Sequence, residues 1–277
     1  MSTLQGLLLG ALQGVAEFLP ISSSGHLALA QALFGLEEVP LLYDVLLHLA
    51  TLLAVVLFFR KQIWNLILIF CRLITRKPLP EDTILAAQEK AGRSNILAVI
   101  IVTVITGIIG VITSKLIKDM SLKTVGAGFL VTSVLLISTS LISRKSNKTE
   151  TDETPFVSVK QAIRIGIMQG FGTLPGISRS GSTISGALWG KVDRKLAGEF
   201  SFIASIPAIL GAFILEAKDL GEVSASIGAA PVIAGCIAAF VTGWFSLAFL
   251  MKLIKKGRLE WFSAYLIPLG IAVLMFM

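Results

Sequence analysis

Two short stretches of this chain carry the residue types of phosphate chemistry. The first, EFLPISSSGH, puts Glu17, Ser22, Ser23, Ser24 and His26 close together, and the second, PGISRSGST, holds Ser178, Arg179, Ser180, Ser182 and Thr183. A serine hydroxyl beside a histidine or carboxylate base can act as a nucleophile. A guanidinium grips phosphate through a bidentate fork. Helices starting directly after SSSGH and SRSGS would add first-turn N–H groups, which also favour anions. Gly25, Gly176 and Gly181 suit the tight turns such tips need.

These polar tips sit in a very apolar chain. Its 277 residues are 55% hydrophobic and only 15% charged, whereas a soluble domain carries roughly a quarter charged residues. Several runs reach the ~20 apolar residues that cross a bilayer. The chain therefore reads as an all-α integral membrane protein. Its net charge of +7 marks cytoplasmic loops rather than a nucleic-acid partner. Cys71 and Cys236 match no metal or redox spacing.

Six stretches read as full spans, at 41–59, 95–117, 122–142, 196–216, 229–251 and 260–277. Residues 60–77, basic at both ends and bearing Trp64, read as an interfacial amphipathic helix. The polar linker 143–155 separates a first half, 1–142, from a second, 158–277, in one membrane domain. Residues 2–19 and 158–174 each run into a polar break and then a helix too short to cross. That pattern predicts two re-entrant hairpins, tolerated at depth only when buried in protein or lining a cavity.

The hairpins are alike. LQGVAEFLPISSSGH and MQGFGTLPGISRSGS align without gaps, placing Gln13 on Gln169, Ser22 on Ser178, Ser23 on Arg179, Ser24 on Ser180 and Gly25 on Gly181. With both hairpins re-entrant, most of the 24 Lys and Arg residues fall on one face, the cytoplasmic one. The hairpins then enter from opposite faces as an inverted-topology repeat, and their tips meet near the midplane.

Plainer readings stand beside the chemical one. Glu17 and Arg179 could form a structural buried ion pair. Any one serine could bond its own helix backbone, and His26 could be a satisfied core histidine. Gln13 lies one turn before Glu17 and can orient its carboxylate. Asp44 and His48, four residues apart at the outer end of the first span, read as supporting or structural residues.

The motifs resemble those of the undecaprenyl-diphosphate phosphatases, or bacitracin-resistance proteins. That family carries E/Q-x-x-x-E, here Gln13 to Glu17, then S-S-x-G-H, here in SSSGH from Ser22 to His26, and P-G-x-S-R-S-G, here Pro175 to Gly181. The resemblance covers essentially the whole chain. It implies hydrolysis of a polyprenyl diphosphate lipid to the monophosphate and inorganic phosphate, recycling the carrier for cell-wall polymers. It assigns function to Glu17, Ser23, His26 and Arg179, and implies a divalent cation, Mg2+ or Ca2+.

Read with the residues, Ser23 is the nucleophile candidate and His26 its base. Glu17 binds metal or acts as a further acid–base group, and Arg179 holds the terminal phosphate. Direct attack by water stays open. Ser22, Ser24, Ser178, Ser180, Gln13 and Thr183 are the expected substrate-binding residues. The expected setting is a bacterial plasma membrane, with the pocket opening to the outer face, membrane lipid around it and a homodimer as the assembly. The rival function is a polyprenyl-phosphate transporter or flippase, since inverted repeats with midplane sites typify alternating access.

Overall fold

The computed structural model describes residues 1–36, 39–117, 121–145, 155–216 and 227–277. Residues 146–154, the body of the expected linker, lie outside the described residues. The described residues form eleven helices and, among them, no strand: α1 (Thr3–Phe18), α2 (Ser23–Leu33), α3 (Leu41–Phe58), α4 (Arg60–Ile74), α5 (Thr83–Ile117), α6 (Leu122–Lys145), α7 (Val159–Phe171), α8 (Arg179–Trp189), α9 (Arg194–Glu216), α10 (Ala229–Lys256) and α11 (Trp261–Phe276).

All six expected spans are helical. Five helices, α3, α5, α6, α9 and α10, are long and apolar enough to cross a membrane, and α11 is a shorter apolar helix of 16 residues. Helix α5 starts twelve residues before the expected span because Asp82 caps it, accepting from the N–H groups of Ile84 and Leu85 at 2.8 Å. Helix α4 forms where an interfacial helix was expected, and none of its residues is buried. It is fastened to α5 by Glu89, which accepts from Arg72 at 2.9 Å and Arg93 at 2.6 Å.

The remaining helices make the two hairpins. Helices α1 and α7, of 16 and 13 residues, and α2 and α8, of 11 each, all fall short of the ~30 Å hydrocarbon thickness. Likeness between the hairpins reaches their first residues. Ser2 and Gln5 form a capping box at the start of α1, and Ser158 and Gln161 form the same box on α7.

Each hairpin packs on the other half of the chain. Helix α1 lies on α10, and α7 lies on α5. A Cβ at Gly10 would sit 2.6 Å from the Gly235 Cα, and one at Gly166 3.2 Å from the Val102 Cα. Small residues thus let the helix backbones touch, the usual basis of helix association within a membrane. Helices α6 and α11 pack together, as do α3 and α9. This exchange of partners brings the loops after α1 and α7 to the same place.

Candidate active site

The tips meet through their backbone as well as their side chains. Ser180 Oγ donates to the Phe18 carbonyl at 3.1 Å. A Cβ on Gly181 would lie 3.1 Å from Pro20 Cβ. Both short helices are capped by the serine before them: Ser22 Oγ accepts from Gly25 N, and Ser178 Oγ from Gly181 N. Helices α2 and α8 therefore begin at Ser23 and Arg179, the pair matched by the internal alignment. Their first residues, at the positive dipole ends, reach a common point through their side chains.

At that point lies Glu17, on the last turn of α1 and almost wholly buried. Its Oε1 is paired with Arg179. Its Oε2 accepts from Ser23 Oγ at 2.7 Å and from Gln13 Nε2 at 3.1 Å. His48 Nε2 of α3 lies 3.3 Å from the same oxygen. His48 Nδ1 donates to the Asp44 carbonyl at 2.7 Å, so both ring nitrogens face oxygen atoms. Arg179 keeps a second, buried amine, Nη1, without a protein partner. Ser23 and Arg179 are half-buried, whereas Ser24 is exposed at the mouth of the tip.

His26 does not serve Ser23 here. Its Nδ1 donates to the Ser22 carbonyl at 2.8 Å, and its Nε2 lies 2.9 Å from the Tyr265 hydroxyl. The ring sits between Phe129 and Tyr265. One turn into α2, its side chain folds back on the residue that caps the helix and away from the serine that starts it. The group within proton-transfer distance of Ser23 is Glu17.

Most of the other expected binding residues build the tips. Ser22 and Ser178 are caps, Ser180 joins the hairpins, and Thr183 Oγ1 donates to the Arg179 carbonyl at 2.7 Å. The second loop is braced from α6: Thr132 Oγ1 donates to the Gly176 carbonyl at 3.1 Å and accepts from Ser178 N at 2.9 Å. Sequence reading missed Tyr265 and Thr132, which stand in apolar helices without a motif. It underrated His48, whose link to Glu17 exists only once α3 packs on α1.

A divalent cation does not fit on Glu17 as arranged. The carboxylate already receives a guanidinium, a hydroxyl and an amide, with an imidazole alongside. Metal sites of this kind gather anionic and carbonyl oxygens. Among the described residues, no three His, Cys, Asp or Glu side chains come together as a metal set.

Comparison with known proteins bears on the same residues. A family model described as "Bacitracin resistance protein BacA" matches residues 6–272. A Treponema denticola protein called undecaprenyl-diphosphatase is 47% identical over 273 residues, covering 99% of this chain and 97% of its own length. Relatives of the same name from Carboxydothermus hydrogenoformans and Methanosphaera stadtmanae are 39% and 38% identical. They cover 99% and 98% of this chain, and 97% and 96% of their own lengths.

Proposed function

The chain belongs to the bacitracin resistance protein BacA family, and from that premise we propose how its residues divide the work of an undecaprenyl-diphosphatase. The reaction removes the terminal phosphate of undecaprenyl diphosphate, leaving undecaprenyl phosphate for reuse in cell-wall synthesis, and it underlies bacitracin resistance. One observation carries the assignment: a continuous chain of contacts from Ser23 through Glu17 to Arg179 across the two tips.

Ser23 Oγ attacks the terminal phosphorus as its proton passes to Glu17 Oε2. The bond to the bridging oxygen breaks, and undecaprenyl phosphate departs. Water then attacks the phosphoserine, and Glu17 returns the proton to Ser23 Oγ as inorganic phosphate leaves. Arg179 is the clamp. Its Nη2 holds Glu17, while its unpartnered Nη1, with the ends of α2 and α8, offers donors to the phosphate oxygens. His26 is a wall of the site, held by Tyr265. A Mg2+ or Ca2+ ion would find its oxygen ligands in the diphosphate itself rather than in Glu17.

The short hairpins support a re-entrant reading, with both tips at the midplane; the Lys and Arg bias, together with the likeness of the hairpins, supports a first tip that opens outward. The prenyl tail then stays in lipid. Phosphate release from a prenyl diphosphate by the purified protein tests the reading, with acid quench to trap phosphoserine. Turnover without a phosphoenzyme, retained in Ser23→Ala, would make water the attacker.

A further inference from the structure

We propose that His48 is a positioning residue for this hydrolysis, holding Glu17 Oε2 in line with Ser23. The inference rests on Glu17 being the base for Ser23. The geometry poses a competition for the carboxylate. Arg179 already holds Oε1, and its second amine, Nη1, is buried and unpartnered. The favoured arrangement of a guanidinium with a carboxylate is a two-pronged pair. If Oε2 swung to Arg179, Ser23 would lose its base, and the phosphate would lose its donor.

Two side chains oppose that swing. Gln13 acts from one turn earlier on the same helix. His48 acts from a different helix, so it fixes the oxygen in a direction Gln13 does not. Its ring is aimed by the Asp44 carbonyl on Nδ1. Helix α3 is itself fastened to both partners: Gln31 of α2 donates to Asp44 Oδ1 at 2.8 Å, and Tyr43 donates to the Gly6 carbonyl of α1 at 3.2 Å. Nucleophile, base and positioning residue thus sit on three cross-braced helices. Displacements of about 1 Å at such a site cost on the order of 100-fold in rate.

The test is a set of purified full-length variants, assayed for phosphate release and melting temperature. His48→Leu should lower kcat by about 30-fold or more, with melting temperature within a few degrees of wild type. His48→Gln, whose amide can donate to Oε2, should recover most of that loss. Wild-type turnover in His48→Leu beside an inactive Glu17→Gln would overturn the His48 role alone. So would a loss that simply follows melting temperature. Full turnover in Glu17→Gln would instead remove the base assignment and the His48 role with it.

Discussion

The two hairpin tips are built to one plan and used for different ends. Each is a turn followed by a serine-capped helix of 11 residues. In the first tip, the left-handed backbone position falls on Ser22, with φ 73°. Such a conformation is costly for a residue with a Cβ. In the second tip, the left-handed position falls on Gly176, with φ 83°, and Ser178 is ordinary. The tip that carries Ser23 bears the strain, and the tip that carries Arg179 delegates it to glycine. The two loops match without gaps and differ at Ser23 and Arg179, which in the proposed reaction stand on its two sides.

The glutamines show the same split. Gln13 donates to Glu17, whereas its counterpart Gln169 donates to Thr106 Oγ1 at 3.1 Å and so braces α7 on α5. One amide faces chemistry, and the other faces packing.

The largest effect should come from the first tip. Ser23→Ala should lower kcat by about 1,000-fold or more, since removing a nucleophile leaves only binding and electrostatics. Phosphate release and phosphoenzyme trapping check it. Arg179→Lys keeps the charge but not the fork, and should cost about 100-fold, or ~2.7 kcal/mol of barrier, with the fold intact. Near-normal turnover there would remove the second tip from catalysis.

Much of this division was legible in the sequence. The ungapped match of the hairpins and the short helices follow from local pattern, although the helices begin inside the two motifs, at Ser23 and Arg179 behind serine caps, and not after SSSGH and SRSGS as expected. The helices at the six expected spans, five of them long and apolar enough to cross a membrane, follow from apolar length, which needs no tertiary knowledge. What pattern could not give was partnership. Ser23 has a histidine three residues away, and sequence proximity favours that pair. Helix geometry instead sends His26 back to the Ser22 carbonyl and across to Tyr265. Likewise His48 stands 31 residues from Glu17, and only the packing of α3 on α1 joins them. Arg179 and Glu17 were legible as a pair because the repeat implied that their tips converge.

Smaller effects sharpen the contrast. Gln13→Ala should lower kcat by about tenfold with little change in melting temperature, because an amide can orient but not carry charge. Gln169→Ala should do the reverse, lowering melting temperature while turnover per folded molecule is kept. Equal behaviour of the two would erase the division between the tips. On stability alone, Gly176→Ala should cost more than Gly35→Ala. Both glycines have positive φ, but a Cβ at Gly176 would collide with the Val125 backbone, while one at Gly35 meets nothing within 4 Å. Strain alone accounts for about 1 kcal/mol, and the collision adds about 1–3 kcal/mol. Chemical unfolding of the two variants gives the difference.

The pairing of Glu17 with Arg179 across the tips is most directly tested by Glu17→Gln, Arg179→Gln and the double variant, each measured for phosphate release and melting temperature beside wild type. Removing one member of a buried ion pair leaves the other uncompensated, and removing both relieves that cost. Both single variants should be inactive and less stable. The double variant should regain melting temperature and remain inactive, because base and clamp are both gone. Activity returning with stability in the double variant would contradict the catalytic assignment and leave the pair a structural brace between two hairpins.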